Sequence, residues 1–95
     1  MTYRNKKLTL DRWLSDLHHD LEYAKHDDRL DYKEIERSIQ QVTAWRDNPI
    51  YSMIDRYPVI VWTMEGIYRY NATIVQIDRH LSNYDTIVVD FKGGE

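Results

Sequence analysis

GIYRYNATIVQI (residues 66–77) decides how this chain folds. Its β-branched and aromatic side chains make it read as one long strand, set between PVIVWT (58–63) and DTIVVDF (85–91), which read the same way. The connectors MEG (64–66) and DRHLSNY (78–84) are short, and short connections join antiparallel neighbours, so a meander with this stretch in the middle is expected. Gly66 would supply a positive φ in the first turn. Asp78 would hold the second by accepting backbone N–H bonds. Tyr68 and Tyr70 then project from one face and Arg69 from the other. Alternation is imperfect, since Ile74, Val75 and Ile77, and again Ile87, Val88 and Val89, put apolar groups on both sides. Both sheet faces therefore need cover, one from helices and the other from a bend near Asn71 and Ala72 or from a second copy of the chain.

Upstream of Asn48 and Pro49 the pattern changes to helical spacing. Leu10, Trp13, Leu14, Leu17, Leu21 and Ala24 recur at intervals of three and four, which predicts a helix over 9–25 with Thr9 as its N-cap. In the next segment Asp31 precedes Glu34 by three residues, as in a capping box, while Leu30 and Ile35 stand where a hydrophobic staple would place them. Ile35, Ile39, Val42 and Trp45 form the buried stripe of this second helix. It should end near Asp47, because the residue before a proline avoids the helical region. The linker Lys25 to Asp31 is short enough for an antiparallel hairpin of helices.

Ninety-five residues suit one domain, whose core would bury roughly 65% of the unfolded surface. With no cysteine there is no disulfide framework, thiol nucleophile, zinc ribbon or iron–sulfur cluster. No window approaches the roughly 18 consecutive apolar residues of a membrane span, and the polar start does not resemble a signal peptide, so a cytoplasmic location without membrane contact is expected. A net charge of −3 is no footprint for phosphate binding, which disfavours direct nucleic-acid contact. Strong mimicry of DNA is also disfavoured, because residues 1–48 carry nine Lys and Arg against ten Asp and Glu.

HHDLEYAKHDD (18–28) invites a metal or acid–base reading through His19, Glu22 and His26 and through the Asp16 and Asp20 pair. The spacing misses the HExxH pattern, and charged residues fill the polar side of any amphipathic helix, so a solvated helix face is the expectation and no metal or cofactor is assigned. Neither a glycine-rich phosphate loop nor a strained-turn serine occurs, so an enzyme is not expected. Eight Tyr and three Trp are a surplus for so short a chain. Aromatics dominate interface hot spots, which makes Trp62, Tyr68, Arg69, Tyr70 and Tyr84 the candidate partner-binding residues; the competing reading is tyrosines lining the core with their hydroxyls at its rim.

VIVW, a turn ending at Gly66, a strand closing on ATIVQID and then TIVV together resemble the YolD-like proteins of Gram-positive bacteria, their phages and plasmids. The segment is also similar to the first motif of Sm-like barrels, with Thr73, Ile74, Val75, Ile77 and Asp78 at the patterned positions. Ala72 stands at a family glycine and the N-terminal segment lacks an R-G-x-x-K-W-like run, which would make the helical hairpin a different attachment to a similar sheet. The resemblance implies a non-catalytic accessory of a Y-family, lesion-bypass DNA polymerase in the damage response. A phage or mobile-element inhibitor of a host defence nuclease, of the anti-CRISPR kind, would suit the small size and aromatic density equally, and an Sm-like nucleic-acid binder is the weaker branch.

The expected architecture is thus α+β: a helical hairpin (9–47) packed on a bent three-stranded antiparallel sheet (58–91), a partial Sm-like barrel. In that meander residues 59–63 and 86–91 are both edges, open to pairing with a protein client or in a homodimer.

Overall fold

The computed structural model describes residues 3–26, 31–48 and 54–91. Helix α1 spans Tyr3–Ala24 and α2 spans Tyr32–Asp47; strands β1 (Tyr57–Thr63) and β2 (Gly66–Ala72) follow, then helix α3 (Ile74–Ser82) and strand β3 (Thr86–Val89). The fold is α+β, with a three-stranded antiparallel sheet that does not close into a barrel. Among the described residues no helix is long and apolar enough to cross a membrane. The staple residue Leu30 and the C-terminal KGGE lie outside the described residues.

The two N-terminal helices follow the apolar stripes. Leu10, Trp13, Leu14 and Leu17 are buried on α1, as are Ile35, Val42 and Trp45 on α2, with Leu21, Ala24 and Ile39 partly buried against them. Asp31 caps α2 by accepting bonds from the Lys33 and Glu34 amides. At the other end Asn48 is extended, as its following proline requires. Thr9 is not a cap: α1 starts at Tyr3, and Thr9 is buried within the helix beside Leu10.

The largest departure from the sequence reading is the segment Ile74–Ile77, which is helical. Thr73 accepts from the Gln76 amide while the Gln76 side chain accepts from the Thr73 amide, a complete capping box that starts α3. Ile74, Ile77 and Leu81 then share a buried face at intervals of three and four, and Val75 faces out. The cap and the tertiary contacts override the β propensity of ATIVQI. Consequently β2 ends at Ala72 without a bend at Asn71, and Asp78 belongs to a helix and not to a turn.

Strand order changes with it. The sheet runs β2-β1-β3, so β1 is central and the edges are β2 and β3. Val59 sits between Tyr70 and Val89, and Val61 between Tyr68 and Ile87. Both partners run antiparallel to β1, hence parallel to each other, and parallel strands need a crossover connection; α3 is that crossover. Tyr57, Val59, Val61, Ile87 and Val89 face the helices on the inner side, where Trp45 stacks 6.1 Å from Trp13 and edge-on 5.0 Å from Tyr57.

The helices also seal one sheet edge. The Asp90 amide bonds the Pro58 carbonyl, so even-numbered residues of β1 point their backbone groups toward β3 and odd-numbered ones toward β2. In β3 it is then Ile87 and Val89 whose backbone groups point away from the sheet. Trp13 Nε1 donates to the Ile87 carbonyl at 3.0 Å and Ser38 Oγ accepts from the Val89 amide at 2.9 Å, both buried. Ser38→Ala would leave a buried amide without a partner, costing about 1–3 kcal/mol, whereas Thr73→Ala should cost about 1 kcal/mol. Urea unfolding of both variants checks the ranking, which reverses if the Val89 amide finds water instead.

Candidate functional site

The β1–β2 turn begins with Thr63, whose hydroxyl accepts from the Glu65 and Gly66 amides and donates to the Gly66 carbonyl. Gly66 has φ 154°, and a Cβ there would meet nothing within 4 Å, so backbone conformation and not space selects glycine. From this turn β2 runs along β1 with its other side open. By the parity set at β1, Ile67, Arg69 and Asn71 direct their backbone groups outward. The Asn71 carbonyl receives Arg56 at 3.5 Å; among the described residues, none bonds the outward groups of Ile67 and Arg69. Ile67 is 69% exposed and Tyr68 is exposed beside it.

The two faces of β2 differ. On the outer face Arg69 Nε lies 3.2 Å from Asp90, whose side chain is 4% exposed, and Arg37 stacks over the Phe91 ring at 4.4 Å. Together with Ile60, Trp62 and Ile67 they line a groove of about 730 Å³ under the start of α2. On the inner face Tyr70 is half-buried, and its hydroxyl lies 2.6 Å from His80 Nε2, while His80 Nδ1 lies 2.9 Å from Asp85. Burial pushes the Tyr70 phenol above its ordinary value, opposed by Arg79 and helped by Asp85. The Asp85 carboxylate can only accept, so Nδ1–H donates to it, and Nε2 of the neutral ring then accepts from the Tyr70 hydroxyl, which keeps its proton. This chain of bonds ties β2 to the end of α3 and the start of β3. A shallow recess of about 400 Å³ opens beside it, bounded by Tyr68, Arg69, Tyr70 and His80.

The five candidate partner-binding residues thus fall in three places. Trp62 and Arg69 share the outer groove, and Tyr68 and Tyr70 border the inner recess, on opposite faces of the hairpin as the strand period requires. Tyr84 is apart, 92% exposed in the turn after α3 with φ 61°. Asp78 pairs with Arg12 of α1, and its carbonyl accepts from Ser82, so it fastens α3 to α1 instead of shaping a loop. His80 and Asp85 carry no sequence signal as a pair. Their five-residue separation brings them together only because α3 ends between them, and Tyr70 joins only through the crossover.

On α1 the histidines and carboxylates do not assemble a centre: His19 packs edge-on against Tyr23, Glu22 pairs with Lys25, and among the described residues no three such groups converge as a metal ion needs. Asp20 is the exception in burial. One of its carboxylate oxygens is buried without a partner among the described residues, and desolvation, then the Asp16 charge, pushes its pKa up to about 6 from 3.8. Compared with protein-family models, curated proteins and solved structures, the chain matches none of them. Because the folded state holds the Asp20 proton more tightly than the unfolded chain, its stabilising contribution is complete below about pH 3.8 and lost as pH rises through about 6. Asp20→Asn should therefore raise the melting temperature at pH 7.5 and flatten its decline between pH 4 and 6; thermal scans across that window check it.

Proposed function

We propose that this protein is a cytoplasmic, non-enzymatic adaptor that binds another protein by accepting an extended segment along β2. The observation that supports this reading is the asymmetry of the sheet. Trp13 bonds the outward Ile87 carbonyl of β3 and Ser38 the outward Val89 amide, whereas among the described residues nothing bonds the outward groups of Ile67 and Arg69 on β2. An unpaired edge is a template for another strand, and proteins that do not use such edges cover or twist them. Added main-chain hydrogen bonds supply affinity in this mode, and pockets for alternate side chains supply specificity. Both kinds of pocket flank β2: the groove with Trp62 and Arg69 on one face and the recess with Tyr68 and Tyr70 on the other.

The YolD-like resemblance makes a Y-family DNA polymerase the first client to try. The comparison uses that polymerase and bacterial lysate as prey, and the wild-type chain, Ile67→Pro and Tyr84→Ala as bait. The N–H of residue 67 points away from β1, so proline there removes no hydrogen bond of the sheet. A client retained by wild type and Tyr84→Ala should be lost from Ile67→Pro. Equal retention by all three would place the contact elsewhere, and retention of a nuclease in place of a replication or repair protein would redirect the role to that of an inhibitor.

A further inference from the structure

The imidazole of His80 is the middle link of the bonded row that joins β2 to α3 and to the approach to β3. Both ring nitrogens are committed, Nδ1 to Asp85 at 2.9 Å and Nε2 to the Tyr70 hydroxyl at 2.6 Å. The imidazole and the carboxylate are 20% and 13% exposed, so the row is held mostly out of water. The Tyr70 and His80 rings, nearly edge-on to each other, border the recess beside β2. Of the three groups, the Tyr70 hydroxyl is the one that can both donate and accept. While the imidazole is neutral, its proton is on Nδ1 and the hydroxyl hydrogen is given to Nε2, so the phenol oxygen shows the recess lone pairs alone. A second proton, taken from solvent, goes to Nε2 and turns that nitrogen into a donor. The hydroxyl then has to reverse, its oxygen accepting from Nε2–H and its hydrogen turning outward. Rotation about one C–O bond carries the change, and the row stays bonded in both forms.

We propose that His80 and Tyr70 form a proton-operated switch that sets the hydrogen-bond character of this recess: it accepts hydrogen bonds while the imidazole is neutral and donates one once the imidazole is protonated. Imidazole suits the task because histidine is the side chain whose charge ordinarily changes between about pH 5 and 8. Its surroundings, among the described residues, fit the reversal. On β2, Tyr68 stands across the recess, and the Arg69 guanidinium is turned to Asp90 on the outer face. Asp85 is already an acceptor for Nδ1–H and balances the charge that the ring takes up. Arg79 on α3 lies close enough to act on the Tyr70 hydroxyl, but a guanidinium has no acceptor, so the released hydrogen is left to the recess. α1 meets α3 where Arg12 pairs with Asp78, on the opposite side of that helix from His80. The switch belongs to the free chain and does not depend on strand addition. Where a segment is held along β2, it selects whether the group beside Tyr70 must donate or accept.

Two measurements on the free chain test it, both run from about pH 8.5 down to about 4.5, which spans the histidine range. Ring nitrogen NMR of the isotope-labelled protein should find the neutral His80 protonated on Nδ1, with Nε2 gaining its proton on acidification. Raman spectroscopy reads the hydroxyl, because the intensity ratio of the tyrosine ring doublet distinguishes a donating phenol from an accepting one. The difference between wild type and Tyr70→Phe isolates the Tyr70 doublet, and the ratio of its higher- to its lower-frequency member should rise as Nε2 is protonated. In His80→Gln, whose amide does not titrate, the same difference should stay constant across the range. A neutral His80 protonated on Nε2 would overturn the proposal, as would a ring that takes up no second proton. So would a Tyr70 ratio that stays fixed while His80 is protonated, since the hydroxyl would then not reverse. None of these outcomes bears on strand addition, which the Ile67→Pro comparison tests by itself.

Discussion

The hydrogen bond from the Trp13 indole to the Ile87 carbonyl joins the first helix to the last strand across nearly the whole chain, and much else follows from it. An edge strand as short as Thr86–Val89 has little hold on its neighbour alone. Trp13 supplies that hold from α1, Ser38 supplies a matching bond from α2, and both sit in the apolar layer formed with Trp45 and Tyr57. Inside that layer a lost partner leaves a bare polar group in a dry place, so the bonds are costly to break. The helical hairpin is thereby both the cover of the inner sheet face and the cap of its far edge.

Sealing β3 has a consequence for β2. With β1 in the centre, every hydrogen bond that β2 makes to the sheet lies on one side, and the helices are committed to the opposite edge. The crossover α3 reaches β2 only near its end, through Tyr70, His80 and Asp85. What remains open is the middle of the strand, at Ile67, Tyr68 and Arg69.

The two N-terminal helices were legible because their apolar residues repeat at helical spacing, and the ends of α2 carry local signals, whereas Thr9, which reads as the cap of α1, lies inside it. Asp31 before Glu34 starts α2, and Asn48 before Pro49 stops it, in the structure as in the pattern. The strand at 66–72 and the opposite faces taken by Tyr68 with Tyr70 and by Arg69 were legible for the same reason, since a period of two needs no partner to be recognised. The stretch from Thr73 to Ser82 misled, because Ile74, Val75 and Ile77 score as strand residues one by one. Thr73 and Gln76 held the decisive signal, a cap three residues apart, and it outweighs residue preference only when Ile74, Ile77 and Leu81 have a surface to bury against.

By itself, then, the sequence determined the local elements that depend on neighbours within a few residues: two amphipathic helices, a glycine hairpin and the alternation on β2. Tertiary structure decided strand order, the helical crossover, and which edge is closed. Those depend on Trp13 meeting Ile87, Ser38 meeting Val89, and Tyr70 meeting His80, pairs whose bonds form only once separate elements have packed. No local spacing encodes such a meeting, because its free energy comes from shared burial and not from the chain between the partners.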